Sequence, residues 1–124
     1  MRKLILIVED DESFRSTVFE LLELEDFNVV SAEDGLIGLQ LAKEMQPDLI
    51  LCDINMPGLD GYGILKKLRE DWITAQIPVI FLTARTDQES RLQALQIGVN
   101  DYLTKPVRFN KLLNSIINQL KMPA

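Results

Sequence analysis

The sequence predicts an α/β fold in which a doubly wound, five-stranded parallel sheet is flanked by five helices. Residues 49–52 form an apolar run without alternating polar residues, which is typical of a strand buried on both faces. Residues 3–8 have the same character. Five predicted strands also alternate with five predicted helices through short connections, and this alternation favours a parallel sheet between helix layers.

The predicted strands are short and rich in branched apolar residues. They comprise residues 3–8, 27–32, 49–52, 77–82 and 101–104. Right-handed crossover connections would make all five strands parallel. We expect the flavodoxin-like strand order 2-1-3-4-5, which places the first and third strands side by side.

The predicted helices carry apolar residues at helical spacing. They comprise residues 12–25, 34–46, 62–71, 88–97 and 108–121. Asp34 is expected to cap the second helix, and Gly98 to end the fourth. The residues expected to face the core are Phe14, Val18, Leu21 and Leu22, then Leu36, Leu39, Ala42 and Met45, then Ile64, Leu65 and Leu68, then Leu92 and Leu95, and finally Leu112, Leu113, Ile116, Ile117 and Leu120. We also expect Trp72 and Phe109 to pack rather than to bind a ligand.

Length and composition indicate one domain spanning residues 1–124. The 124 residues, 47% hydrophobic and 26% charged, suffice for a core and are too few for two domains. The net charge of −6 argues against direct contact with nucleic acid, because duplex binding depends on clustered Lys and Arg. A single cysteine, Cys52, suits a reducing compartment, and no apolar run approaches a membrane span. We therefore expect a cytoplasmic protein with no membrane contact.

The chain contains no histidine. Histidine is the commonest metal ligand and the usual general base near neutral pH. Zinc sites and Ser/His or Cys/His catalysis are therefore not expected.

Polar side chains stand at the carboxyl ends of four predicted strands. They are Glu9, Asp10, Asp53, Thr83 and Lys105. Because the carboxyl ends of parallel strands share one sheet edge, we expect these side chains to be neighbours. In open α/β sheets, ligands bind at this edge, where the strand order switches. Asp53, directly after the central strand, is expected to be the working residue.

The three acids of this set predict a cation and a phosphate. Carboxylates that lie close together repel one another, and a divalent cation relieves the repulsion. Oxygen ligands favour Mg²⁺, which often keeps phosphate oxygens in its coordination shell. Lys105 and the Thr83 hydroxyl would flank the phosphate. Asp53 is then suited to be the nucleophile that forms an aspartyl-phosphate.

These residues resemble the motifs of the receiver domains of two-component response regulators. The motifs are Val8-Glu9-Asp10, Asp53 with Met56-Pro57-Gly58 and Asp60-Gly61 behind it, Thr83-Ala84, Tyr102, and Lys105-Pro106. In this order they span essentially the whole chain. The resemblance implies that Asp53 accepts a phosphoryl group from a phosphohistidine on a sensor histidine kinase or histidine phosphotransfer protein.

The resemblance also assigns roles within the site. The implied Mg²⁺ ligands are Asp10, Asp53, the main-chain carbonyl of Asn55 and, through water, Glu9. Lys105 would pair with the phosphoryl group, and the bond between Lys105 and Pro106 would be cis. Asn55 and Arg85 correspond to positions that tune how long the phosphoryl group survives.

A conformational switch is implied as well. Thr83 would turn towards the phosphoryl oxygens, and Tyr102 would rotate inward into the vacated space. The face built from the fourth helix, fifth strand and fifth helix would then change its affinity for an output domain or partner protein. Family members that dimerise through this face usually carry several charges there. This chain has the charged residues Arg91, Asp101, Arg108 and Lys111, but its last helix otherwise carries Asn114, Ser115, Asn118 and Gln119. Both a monomer and a phosphorylation-dependent dimer therefore stay open.

Two alternative functions use the same type of edge. A magnesium-dependent phosphatase resembling the haloacid dehalogenase group would carry a second aspartate two residues after Asp53, where this chain has Asn55. A flavin-binding electron carrier would carry Ser, Thr and Gly after the first strand, where the acids of residues 9–12 would repel a phosphate. We therefore expect a signalling switch whose only chemistry is its own phosphorylation and dephosphorylation, rather than an enzyme.

Overall fold

The structure is a computed structural model and describes residues 2–122. Residues 1, 123 and 124 of the predicted domain lie outside the described part. Strands and helices alternate strictly along the chain. In chain order they are β1 (Leu4–Val8), α1 (Glu12–Leu24), β2 (Asn28–Ala32), α2 (Gly35–Met45), β3 (Leu49–Cys52), α3 (Gly61–Glu70), β4 (Val79–Thr83), α4 (Gln88–Ile97), β5 (Asp101–Thr104) and α5 (Phe109–Leu120).

The strands form a single parallel sheet in the order β2-β1-β3-β4-β5. In this register Val8 is paired with both Ala32 and Cys52, and Thr83 is paired with Thr104. All carboxyl ends therefore lie at one edge. The predicted doubly wound sheet and its strand order are confirmed.

Apolar side chains are buried on both faces of the sheet. On one face, Leu6 and Ile50 pack with residues of α2, α3 and α4, including Leu65. On the other face, Ile5 and Leu49 pack with residues of α1 and α5. Because the inner strands are covered on both sides, their sequences show continuous apolar runs instead of alternation.

The core-facing side of α2 differs from the expectation. Leu36 and Met45 are 70% and 43% exposed, and the buried residues are Gly35, Gly38 and Ala42. A Cβ added at Gly38 would lie 2.8 Å from Val8 Cγ2, so this helix approaches β1 too closely for a larger side chain. The small residues face the sheet, and the leucine is displaced to the surface.

The core-facing side of α4 is also different. Leu92 and Leu95 are 50% and 51% exposed, whereas Ser90 and Ala94 are buried. The Tyr62 hydroxyl donates to the Ser90 main-chain carbonyl at 3.1 Å, so α4 lies close to the tyrosine and only small side chains fit between them.

Two aromatic residues outside the sheet have opposite outcomes. Phe109 packs against the core beneath α1 and α5, as expected. Trp72, in the connection between α3 and β4, is 87% exposed, so the expectation that it packs is wrong.

None of the helices in residues 2–122 combines the length and the apolar character that crossing a bilayer requires.

Candidate functional site

The carboxyl edge of the sheet brings the five predicted site residues together. Asp53 directly follows β3, and Glu9 and Asp10 directly follow β1. Thr83 is the last residue of β4, and Lys105 directly follows β5. Each of these side chains is thus positioned by the carboxyl end of a strand of the sheet.

Glu9, Asp10 and Asp53 form an acidic cluster. Each offers a carboxylate oxygen, and these oxygens all lie within 4.8 Å of one another. Glu9 and Asp53 are buried, whereas Asp10 is exposed. A set of carboxylate oxygens open to solvent on one side fits a hard divalent cation such as Mg²⁺. Such a cation would supply positive charge that offsets the mutual repulsion of the acids.

The main chain fixes the orientation of Asp53. Its Oδ1 accepts a 2.7 Å hydrogen bond from the Ile54 amide, and its own amide donates to the Val8 carbonyl at 3.0 Å. The second carboxylate oxygen, Oδ2, lies 3.6 Å from Lys105 Nζ. One oxygen is therefore held by the backbone, and the other faces the lysine.

Lys105 links the acids of two strands. Its ammonium donates to Glu9 Oε1 at 2.7 Å, and its amide donates to the Thr83 carbonyl at 2.8 Å. The lysine side chain is 21% exposed and that of Glu9 only 4%, so the pair lies largely out of water. The peptide bond between Lys105 and Pro106 is cis, the isomer that the resemblance implies.

Burial raises the pKa of Glu9 above its ordinary value, and the negative charge of Asp53 raises it further. The Lys105 hydrogen bond and the hydrogen bond that the Asp11 amide donates to Glu9 Oε2 act in the opposite direction. Lys105 therefore counteracts part of the cost of keeping a carboxylate at this edge.

Thr83 and Tyr102 meet at the first residues after β4. Thr83 is fully buried, and its hydroxyl oxygen accepts a hydrogen bond from the Arg85 amide at 3.2 Å. The Tyr102 hydroxyl donates to the Arg85 carbonyl at 2.9 Å, and the tyrosine is buried. Its ring lies edge-on to Phe81, and the Arg91 guanidinium stands 5.0 Å from the ring centroid. Tyr102 thus occupies an inward position in this structure.

Asn55 and Arg85 connect two loops above the edge. Arg85 Nε donates to Asn55 Oδ1 at 2.7 Å and so joins the segment after β3 to the segment after β4. Asn55 is exposed and Arg85 is partly exposed, and both follow strands whose ends carry site residues. The two side chains therefore lie together at the open side of the site.

Gly61, the first residue of α3, supports the site in a way that the sequence did not reveal. Its amide donates to the Ile54 carbonyl at 2.9 Å, and a Cβ there would lie 2.5 Å from the Asp53 carbonyl oxygen. Asp60 precedes it as the N-cap of α3 and accepts a hydrogen bond from the Gly63 amide. In the sequence the Asp60-Gly61 pair is only one of the motifs that follow Asp53; its closeness to the Asp53 main chain is evident only in three dimensions.

Most of the chain matches one protein family. The family profile described as the response regulator receiver domain matches residues 5–117. The chain belongs to this receiver-domain family. As a receiver domain it is a phosphorylation-dependent signalling switch, and the match gives no support to the phosphatase alternative.

Two transcriptional regulators that resemble this chain agree with the assignment. The receiver domain is 40% identical over 109 residues to the DNA-binding dual master transcriptional regulator RpaA of Synechocystis, covering 88% of this chain and 45% of RpaA. It is 40% identical over 116 residues to the phosphate regulon transcriptional regulatory protein PhoB of Escherichia coli, covering 94% of this chain and 51% of PhoB. The chain thus spans about half the length of these relatives.

Solved structures include close matches to the receiver domain. One is the receiver domain of the sensor histidine kinase PA1611 from Pseudomonas aeruginosa, which superposes with a TM-score of 0.90 at 30% identity and covers 98% of this chain and 99% of that one. That structure is described with a magnesium ion coordinated in its active-site cleft.

Proposed function

We propose that this receiver domain accepts a phosphoryl group on Asp53 from a phosphohistidine of a sensor histidine kinase or a histidine phosphotransfer protein. A carboxylate oxygen of Asp53 would form a bond to phosphorus, and the bond between phosphorus and the donor imidazole nitrogen would break. The electron pair of that bond stays with the imidazole. The observation that carries the proposal is the position of Asp53, whose Oδ2 lies 3.6 Å from Lys105 Nζ and whose carboxylate belongs to the acidic cluster.

The metal role follows from the oxygen donors at the edge. Asp10 and Asp53 would bind Mg²⁺ directly, together with the main-chain carbonyl of Asn55, and Glu9 would act through water. The oxygen-only donor set and the magnesium described for the PA1611 receiver domain support this choice. The cation would supply charge neutralisation, while Lys105 would pair with the phosphoryl oxygens.

The switch would use Thr83 and Tyr102. In this structure the Thr83 hydroxyl oxygen accepts a hydrogen bond of 3.2 Å from the Arg85 amide. After phosphorylation the hydroxyl would turn towards the phosphoryl group, and this hydrogen bond would break. Tyr102 is already buried and bonded to the Arg85 carbonyl in this structure, so it would move further into the space that Thr83 vacates rather than rotate inward from the surface. A coupling of about 1–3 kcal/mol is enough to change a partner's affinity by several-fold to a hundredfold.

The output would be read at the face formed by α4, β5 and α5, by an output domain or a separate partner protein. We propose that the domain itself makes no direct contact with nucleic acid or membrane and works in the cytoplasm, either as a monomer or as a phosphorylation-dependent dimer. The net charge of −6 supports the absence of nucleic-acid contact, because duplex binding depends on clustered positive charge.

Residues 1–124 would form one receiver domain with no enzymatic activity beyond its own phosphorylation and dephosphorylation. Asn55 and Arg85, joined at 2.7 Å, would tune the phosphoryl lifetime.

Incubation with a small phosphodonor and Mg²⁺, followed by intact-mass spectrometry, tests the proposal. We expect a gain of one phosphoryl group per chain, lost when a chelator is added and absent in Asp53→Asn. Asp34→Asn is the matched control, because Asp34 caps α2 and asparagine is an equally good N-cap. Equal labelling of Asp53→Asn and Asp34→Asn would contradict the proposal.

A further inference from the structure

Phe14, on α1, is a neighbour of Lys105 that none of the roles above includes. Lys105 Nζ lies 4.2 Å from the centroid of the Phe14 ring. A cation within about 6 Å of an aromatic ring face is attracted by the negative charge on that face. From the sequence, Phe14 was expected only to face the core.

The Lys105 ammonium therefore lies beside two carboxylates and one aromatic ring. Glu9 Oε1 lies 2.7 Å away and Asp53 Oδ2 lies 3.6 Å away, and both are carboxylate oxygens. The third neighbour is the Phe14 ring. A lysine head sits on a flexible four-carbon stem, so its position depends on every group that contacts it.

Phe14 is itself held where the core meets the site. A cavity of about 10 Å³ is lined by Phe14, Glu9 and Asp53, by apolar residues of the sheet and by Val18 of α1. This volume is near the lower limit for a single water molecule, so little free space remains there. The ring also packs against the core that contains Val18 and Leu22 of its own helix. Its packing against the core restricts the positions that the ring can take.

We propose that Phe14 is a positioning residue for phosphoryl transfer to Asp53: its ring holds the Lys105 ammonium at the place where the phosphoryl oxygens arrive. Phe14 acts through Lys105 and does not touch the phosphoryl group. This inference rests on the proposed function, because the transfer it assists is the one proposed above.

The chain offers a matched control for a purely structural role. Phe19 lies on the same helix, is also partly buried and packs against the same core as Phe14. Its replacement by leucine removes the same atoms from α1 without removing a ring beside Lys105. A core-packing effect would appear in both variants, and a positioning effect only at Phe14.

The experiment measures the rate of phosphorylation by phosphoramidate against Mg²⁺ concentration, together with thermal unfolding. We expect Phe14→Leu to lower the maximal rate by about three- to tenfold. The Mg²⁺ concentration for half-maximal rate should change by less than about twofold, because the metal ligands are untouched. Phe14→Tyr, which keeps the ring, and Phe19→Leu should both stay within about twofold of the unmodified protein in maximal rate. Phe14→Met serves as a second ring-free variant in case the leucine does not fold.

Each outcome separates the alternatives. An unchanged rate in the ring-free variants overturns the positioning role of Phe14. An equal loss in Phe14→Leu and Phe19→Leu also overturns it, because the loss would then come from packing. If the unmodified protein gains no phosphoryl group, the proposed function itself is overturned, and that result is recognisable because it precedes any comparison of variants.

Discussion

The Tyr102 hydroxyl donates a hydrogen bond of 2.9 Å to the main-chain carbonyl of Arg85. A second tyrosine, Tyr62, donates to the Ser90 carbonyl at 3.1 Å. The segment between β4 and the first turn of α4 is thus held near both ends by tyrosine hydroxyls from other elements. This segment begins beside Thr83 and leads into the face proposed to contact partners, so its two anchors connect the site to that face.

We expect Tyr102→Phe to weaken this anchoring without disturbing the core, because the ring and its edge-on contact with Phe81 remain. Loss of one hydrogen bond should reduce the free energy of unfolding by about 1 kcal/mol. Urea unfolding followed by circular dichroism measures the change. A variant as stable as the unmodified protein would show that the hydroxyl contributes nothing to the segment.

Gly61→Ala should damage both stability and phosphorylation. The new Cβ would lie 2.5 Å from the Asp53 carbonyl oxygen and 2.7 Å from Ile54 Cα, so the main chain that orients Asp53 must move. We expect a loss of about 1–3 kcal/mol in unfolding free energy and a slower phosphorylation rate.

Gly63→Ala is the control for this change on the same helix. Its Cβ would lie 2.6 Å from Leu59 Cδ1, the end of a side chain that can rotate away, and at an ordinary contact distance of 3.5 Å from Asp60 Oδ1. Alanine also favours a helix more than glycine does. Equal losses in stability and rate for Gly61→Ala and Gly63→Ala would contradict the role assigned to Gly61.

Lys105→Met should lower the free energy of unfolding more at neutral pH than at acidic pH. Burial and the Asp53 charge raise the pKa of Glu9 above its ordinary value of 4.5, and the lysine hydrogen bond opposes them. Because native Glu9 binds its proton more tightly than the unfolded chain does, its contribution to stability is complete below about 4.5 and is lost as the pH rises through the native pKa.

Without the lysine the native pKa of Glu9 should rise further, so the protein should lose more unfolding free energy between acidic and neutral pH. The difference in unfolding free energy between the two proteins should therefore widen from acidic to neutral pH. Urea unfolding at a series of pH values measures it. A difference that is constant or narrows with increasing pH would show that Lys105 does not support Glu9.

Asp87→Ala should loosen the start of α4 in a pH-dependent way. Hydrogen bonds from the Ser90 side chain and amide lower the pKa of Asp87 below its ordinary value of 3.8. Asp87 is the N-cap of α4, and its carboxylate therefore contributes stability above about pH 3.8. This contribution is lost as the pH falls through the lowered native pKa. Hydrogen exchange of the amides in the first turn of α4 should be faster in the variant at neutral pH. Glu89→Ala is the control, because Glu89 lies in the same turn, two residues after Asp87, but does not cap the helix; it should not speed the exchange.

The fold was predictable because a strand that is buried on both faces of the sheet has a continuous apolar sequence. The apolar run of residues 49–52 ends in a carboxylate, and this pattern alone is enough to place Asp53 at the sheet edge. Strand order followed from handedness and from the position of the switch point. These properties are local, or depend on general rules of connection.

The wrong predictions for the core-facing sides of α2 and α4 arise where two segments approach closely. On α2 and α4 the apolar pattern pointed inward at Leu36 and Leu92, but Gly38 and Ser90 occupy those faces because the helices sit too close for larger side chains. Phe14 was placed on the correct face of α1, yet its distance of 4.2 Å to Lys105 joins residues far apart in sequence. Such distances are set by the packing of the whole domain.

The most direct test of the account is to identify the residue that carries the phosphoryl group. After incubation with phosphodonor and Mg²⁺, reduction with borohydride converts an aspartyl-phosphate to homoserine, and peptide mass spectrometry locates it. We predict a single conversion, at position 53, that disappears when the metal is chelated. Conversion at position 10 instead, or no conversion in a folded protein, would contradict the assignment of Asp53 as the acceptor.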